Sequence, residues 1–257
     1  IMLTEGAIAA IDKGHDFKIR LPFVISPLIW GVFSSTNRVD PLPDGYKNAK
    51  FAVSRLFSGS HLMSQFLANK YGSHTVSIHN QETKAENDFF EKKIGAFVDM
   101  YARVGVDLDF FTPTKTTSLQ SVLPYLKDTA KTIWVHNSFT SQSDIKAVQA
   151  ANTDAYWCLC PNANQYIENT MPPVQLFRDQ HANIVVGTDS YASNWSLNML
   201  DELKKIQAHN SQIPLAEMLT WITSNGARAL QMDDKLGSIE VGKKPGLSLI
   251  KNLSSAG

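Results

Sequence analysis

Short apolar runs alternate along this chain with longer stretches in which apolar residues recur every three or four positions. The short runs cover residues 18–25, 51–53, 75–79, 132–136, 155–160 and 184–189, and their β-branched and aromatic content predicts strands. Helical periodicity covers 3–13, 62–70, 86–101, 118–126, 143–150, 173–180, 197–209 and 215–230. Strands that take turns with helices form βαβ units around a parallel sheet. Ser143 is placed to cap the helix at 143–150, and Pro214 stands where a helix start favours proline. Residues 235–250 read as glycine-rich turns leading into a short strand at 247–250.

The 257 residues suit one large α/β domain, since (β/α)₈ barrels run to about 250 residues as a single unit. Six strands before the tail cannot close such a barrel, because strand number, tilt and stagger are linked. Either leading strands lie upstream of Ile1, or the architecture is not a closed barrel. Lys+Arg and Asp+Glu balance at 24 each, so charge makes no case for a nucleic-acid partner. No run of 18 apolar residues occurs, and neither a membrane helix nor a leader is expected. Cys158 and Cys160 sit two apart in one strand and are expected as reduced, packed thiols of a cytoplasmic protein.

Three strands end on a metal-capable residue. Thr75-Val-Ser-Ile-His79 ends on His79, Thr132-Ile-Trp-Val-His136 on His136, and Ile184-Val-Val-Gly-Thr-Asp189 on Asp189. In a parallel barrel all strand carboxyl ends face one side, and the active site lies there. Residues more than a hundred apart in sequence can therefore meet. Two imidazoles and a carboxylate suit Zn²⁺ or another divalent first-row ion. Glu82 lies three residues past His79, within reach of a water at the same centre, and a carboxylate there can take and return a proton. His15, His61, His74, His181 and His209 fall in turns or on helices and are expected at the surface. Neither a phosphate-binding glycine loop nor a GxSxG elbow occurs.

These motifs resemble the amidohydrolase superfamily, in the branch of cytosine, guanine and S-adenosylhomocysteine-type deaminases and triazine chlorohydrolases. His79-Asn-Gln-Glu82-Thr83 is similar to that branch's strand-five His-x-x-Glu, and Val135-His136-Asn137 to its strand-six His. Leu159-Cys-Pro-Asn-Ala-Asn164 resembles its strand-seven Cys-Pro-x-x-Asn, and Gly187-Thr-Asp-Ser190 its strand-eight Gly-Thr-Asp-Ser. Asn225-Gly-Ala-Arg-Ala-Leu230 and the glycine-containing run at 236–243 match its closing helix and the strand that enters a small β-sandwich. The likeness runs from about Thr75 to Ile250.

The resemblance implies a TIM-like barrel of the metal-dependent hydrolase type over residues 1–235, short of its first strands, and the start of a β-sandwich at 236–257. It implies metal binding by His79 and Asp189, proton transfer by Glu82, and orientation of water or polarisation of the scissile bond by His136. Asn162, Asn164 and Ser190 would contact substrate or hold the loop shape. The cofactor would be one divalent ion, zinc first, with iron or manganese as alternatives. The partner would be a small molecule, with neither nucleic acid nor membrane, and a homodimer through aromatics such as Trp30 and Trp195 stays open. The reaction would be hydrolytic deamination. A chlorohydrolase or other C–N hydrolase, or an inactive relative kept for binding, remain alternatives.

Two departures stand out. The family's strand-one His-x-His is absent, and the expectation is that it lies upstream of Ile1. Asn48-Ala-Lys-Phe-Ala-Val-Ser54 puts Asn48 where a substrate-contacting His would stand.

Overall fold

A computed structural model of the chain describes residues 75–103, 105, 107–126, 131–151 and 154–250, together with the backbone of 2–3, 30–31 and 50–53. Two short strands, β1 (Met2–Leu3) and β2 (Trp30–Gly31), pair antiparallel. The main sheet has five parallel strands in chain order: β3 (Lys50–Val53), β4 (Thr75–Asn80), β5 (Lys131–His136), β6 (Asp154–Leu159) and β7 (Asn183–Val186). Between β4 and β5 lie α1 (Lys84–Lys92), α2 (Ala96–Arg103), α3 (Ser118–Val122) and a 3₁₀ turn. Helix α4 (Gln142–Ala150) leads to β6, and α5 (Pro161–Glu168) and α6 (Val174–Asp179) lead to β7. Helices α7 (Met199–His209), α8 (Leu215–Ile222) and α9 (Ser224–Ala229) follow.

A strand order that never reverses has a physical consequence. Right-handed crossovers, the rule for such connections, would put the helices between strands on one side of the sheet, while α5 and α9 reach the other face through Ala163 and Ala229. A strand order without reversal is the winding of a barrel wall rather than of an open, doubly wound sheet.

The two faces carry different cores, as strand alternation requires. Val76, Ile78, Trp134, Trp157, Leu159 and Ile184 face the helices, where they meet Phe89, Phe90, Leu119, Phe177 and Ile206. Ile133, Val135, Tyr156, Cys160 and Val185 form a smaller cluster on the other face, which is the barrel interior. Lys131 also belongs to that inner set by position. Its Nζ is held by Asp154 at 2.9 Å and by the carbonyl of Arg228 at 2.7 Å, at the amino end of β5. The two ends of the sheet therefore differ, with a fastened cation at one and the candidate chemistry at the other.

Several elements differ from the sequence expectation. The stretch 86–101 forms two helices, because Lys93 (φ 56°) and Gly95 (φ 90°) take left-handed backbone that ends α1. The stretch 215–230 is likewise divided at Thr223 (φ −119°, ψ −91°). The cap of α4 is Ser141, not Ser143: Ser141 Oγ accepts from the Asp144 amide, and Asp144 accepts from the Ser141 amide. Residues 161–168 form α5 where no helix is expected from sequence, started by Pro161 in its first turn. No strand forms at 247–250, where Leu247 and Leu249 are exposed. Leu3 lies in β1, and the rest of the 3–13 run, the strand expected at 18–25 and the helix expected at 62–70 lie outside the described residues.

Candidate active site

The carboxyl ends of β4 and β5 bring three predicted residues together. His79, Glu82 and His136 each offer a ligand atom, and these atoms lie within 4.8 Å of one another. The two rings meet edge to face with centroids 4.8 Å apart. His136 Nε2 stands 3.2 Å from His79 Nδ1 and 3.6 Å from Glu82 Oε1.

Alternation along β4 sends Thr75, Ser77 and His79 to the inner face. Along β5 it sends Ile133 and Val135 inward, so His136 should point at the helices. It does not, because its backbone is left-handed (φ 75°), as is that of Asn137 (φ 58°). A left-handed bend at the end of β5 turns the His136 ring back toward His79. Non-glycine residues rarely adopt such φ values, and strain of this kind persists only where surrounding contacts impose it. Those contacts are present. Asn137 donates from its amide to Asn80 O (3.0 Å) and from Nδ2 to Trp134 O (2.7 Å). Asn164 Oδ1 pairs with His136 Nδ1 at 2.8 Å, and Asn164 Nδ2 donates to His136 O at 3.1 Å.

The turn that carries Glu82 is built from residues that sequence reasoning missed. Gln81 is buried with φ 47°. Its amide donates to Glu86 Oε1 (3.0 Å), and the Glu82 amide donates to Glu86 Oε2 (3.1 Å). Burial pushes the Glu86 carboxyl up from its ordinary range, opposed by those backbone bonds. The Gln81 side chain donates to Asn87 and to Asp144, each at 3.2 Å, and accepts from Thr140 Oγ1 at 2.6 Å. Asp144 is buried and also accepts from Gln120 Nε2 (2.9 Å), Thr117 Oγ1 and Ser141. One carboxylate thus joins the turn after β4 to α3 and α4. A buried polar network is sound only when its members are satisfied, and this carboxylate has partners on both oxygens. The sequence signal for the hub is the capping spacing Ser141-x-x-Asp144.

A second buried carboxylate organises the loops after β6 and β7. Glu202 accepts from the Asn162 amide (2.9 Å), Asn162 Nδ2 (3.0 Å) and Asn194 Nδ2 (2.7 Å). Asn194 Nδ2 also donates to Thr188 O at 2.6 Å. Glu202 therefore fastens both the start of α5 and the Gly187-Thr188-Asp189 segment.

Asp189 lies outside the close group of His79, Glu82 and His136. It stands on the loop after β7 with φ 55°, and its Oδ2 accepts from Ser193 Oγ. Ser190 is exposed beside it. Asn162 and Asn164 are buried and turned toward protein partners. Both cysteines are free thiols, as expected. Contact with Cys158 and burial push the Cys160 thiol well up, and the charges of Asp189 and Glu202 add to this. His181 and His209 are exposed, as expected, whereas His15, His61, His74 and Asn48 lie outside the described residues.

The donor set suits a divalent ion. Two nitrogens bound tetrahedrally at 2.0–2.1 Å to one zinc stand about 3.3 Å apart. The His79–His136 nitrogen separation of 3.2 Å is of that size. A carboxylate at the same point completes a mixed imidazole and oxygen set.

Fold and site together define a barrel protein with a metal-capable centre at the carboxyl ends of its strands. The chain belongs to the amidohydrolase family, whose sequence profile matches residues 57–255. It is 29% identical over 179 residues to an adenosine deaminase of Helicobacter pylori, covering 68% of this chain and 42% of that protein. It is 34% identical over 117 residues to a 5-methylthioadenosine/S-adenosylhomocysteine deaminase of Teredinibacter turnerae, covering 43% and 26%. Among solved structures, it superimposes on the aminofutalosine deaminase of Helicobacter pylori with a TM-score of 0.59 and 27% identity, covering 72% of this chain and 46% of that one. The chain spans less than half the length of these relatives.

Proposed function

We propose that this chain carries the later strands of a metal-dependent hydrolase that deaminates an aminated heterocycle or cyclic amidine. The single observation that carries the reading is the convergence of His79, Glu82 and His136 on one point at the strand ends. The deaminases among its relatives support the choice of reaction. His79 and Asp189 would hold one divalent ion, zinc first and iron or manganese next, with His136 close enough to serve as a further donor. When bound, such an ion supplies Lewis acidity that brings the pKa of water toward about 7.

The chain's own groups do the rest. Glu82 accepts the proton of the attacking water and returns it to the departing amine, so that water and the C–NH₂ group become C–OH and ammonia. The Glu86 carboxylate, gripping the amides of Gln81 and Glu82, keeps that turn in place. His136 Nε2, 3.6 Å from Glu82 Oε1, orients the water or polarises the bond under attack. Ser190 meets the substrate from the loop after β7, while Asn162 and Asn164 hold the loop shape.

The substrate is a small molecule, and balanced charge favours neither nucleic acid nor an anionic membrane surface. Among the described residues no helix is long and apolar enough to cross a membrane. Two free thiols suit a reducing compartment, and we place the protein in the cytoplasm. Trp195, 62% exposed, offers an anchor for a homodimer; the Trp30 side chain lies outside the described residues.

The test is an assay of the full chain loaded with zinc, iron or manganese, across aminopurine nucleosides, aminopyrimidines and chlorotriazines, with ammonia and chloride both measured. Ammonia release that needs the ion supports the reading. Chloride release instead makes the protein a chlorohydrolase, and release of neither with any of the three ions refutes a hydrolytic role.

A further inference from the structure

Asn164 touches His136 twice, and the two contacts together fix a protonation site. The amide Nδ2 lies 3.1 Å from the main-chain carbonyl oxygen of His136, and a carbonyl oxygen can only accept. The amino side of the Asn164 amide must therefore face that carbonyl, since the reverse orientation would oppose two acceptors. Its Oδ1 is then the atom 2.8 Å from His136 Nδ1. Oδ1 also only accepts, so Nδ1 carries the hydrogen. A neutral imidazole with its hydrogen on Nδ1 has its lone pair on Nε2. That lone pair is the one aimed at His79 Nδ1, 3.2 Å away, and at the side of the cluster where Glu82 lies.

Both residues are fully buried, so no water competes for either bond. The main-chain contact falls on the residue whose φ of 75° reverses the strand alternation. One amide thus restrains the strained backbone and the ring that the strain redirects.

We infer that Asn164 is the positioning residue of His136, holding its ring as the Nδ1–H tautomer so that Nε2 faces the metal-capable cluster. This rests on the proposed hydrolytic site and deepens it, by giving Asn164 a task at the histidine beyond holding the loop shape. With His136 as the further donor beside His79, Asn164 takes the place of the outer partner of a ligand histidine, whose removal commonly lowers metal affinity or activity 10–100-fold.

The test uses ¹⁵N-histidine NMR on the full chain, zinc titration, and steady-state kinetics on the wild type, Asn164→Leu and Asn164→Asp. In the wild type, the His136 spectrum should show hydrogen on Nδ1 and a bare Nε2. Asn164→Leu, of similar size but unable to accept, should give a mixture of tautomers and bind zinc 10–100-fold more weakly. It should lower kcat at least tenfold with KM within about twofold. Asn164→Asp keeps an acceptor at Nδ1 and should keep hydrogen there, but its second oxygen faces the His136 carbonyl where the amide donated, so its zinc affinity should fall between those of the wild type and Asn164→Leu. A wild-type His136 protonated on Nε2 overturns the inference. So does an Asn164→Leu protein that keeps both tautomer and zinc affinity, or one in which KM rises and kcat holds, which would make Asn164 a substrate contact. If Asn164→Leu fails to fold, the wild-type and Asn164→Asp spectra decide alone. The spectra and the zinc titration need no substrate, so they decide the role of Asn164 even if the protein proves not to be a deaminase.

Discussion

His136 is buried, left-handed at φ 75°, and held on its ring and its carbonyl by one asparagine. Strain of this order costs about 1–3 kcal/mol and marks a position whose geometry matters more than its local stability. Glu82 differs, being partly open with its carboxylate toward His136. Replacing it by Gln keeps size and removes the proton acceptor. We expect Glu82→Gln to unfold as the wild type does, while kcat falls by about 10²–10⁴. Parallel denaturation curves and turnover measurements check this. Gly187 supplies a steric prediction. A Cβ there would stand 2.9 Å from Cys158 Sγ and 3.5 Å from Cys160 Sγ. Gly187→Ala should cost about 1–3 kcal/mol by overpacking. Much of that loss should return in the double variant with Cys158→Ala, a coupling that a double-mutant cycle reads directly. Cys160 is 1% exposed and its thiol is pushed up, so it stays protonated at neutral pH. It should resist iodoacetamide in the native state and react after unfolding, as mass spectrometry of the alkylated protein would show.

Among the elements, loops are fixed by buried carboxylates rather than by regular structure. Asp144 links the turn after β4 to α3 and α4, and Glu202 links the loops after β6 and β7. Ser141→Ala removes half of a capping box and should cost about 1 kcal/mol. Asp144→Ala strands several donors at once and should cost about 3 kcal/mol or more, with activity lost as the Glu82 turn loosens. Denaturant titration of both variants separates the two costs. Strands β4 and β5 are legible in the sequence because alternating β-branched and aromatic residues end abruptly on His79 and His136. Helix α5 is not, because no helical spacing of apolar residues marks Cys160-Pro-Asn-Ala-Asn, and its start is fixed by Glu202, which accepts the Asn162 amide from a distant part of the chain. The split of 86–101 is hidden for another reason. Apolar spacing continues across Lys93–Gly95, and only the backbone shows the break. Nor does any side-chain pattern announce that His136 reverses its strand's alternation. The motif points to His136, and the backbone shows how its ring comes to lie beside His79.

Across the whole described molecule, five parallel strands in chain order form a stretch of barrel wall with helices on one side and a small apolar cluster on the other. The carboxyl ends of that wall carry His79, Glu82 and His136 together, and Asp189 follows on the loop beyond β7. Periodicity reveals the wall, and strand-end placement reveals two of the three clustered residues. The tail is deceptive because Leu247 and Leu249 alternate as a strand would, yet a strand needs a neighbour to pair with, and none pairs with them among the described residues. On the proposed reading, the strand-end cluster of His79, Glu82 and His136 binds the divalent ion that hydrolysis needs. Anomalous diffraction at the zinc edge from crystals of the full chain tests it most directly. A peak is predicted within about 2.0–2.1 Å of an imidazole nitrogen of His79. A peak on Cys158 and Cys160 instead, or none at the cluster, would contradict it.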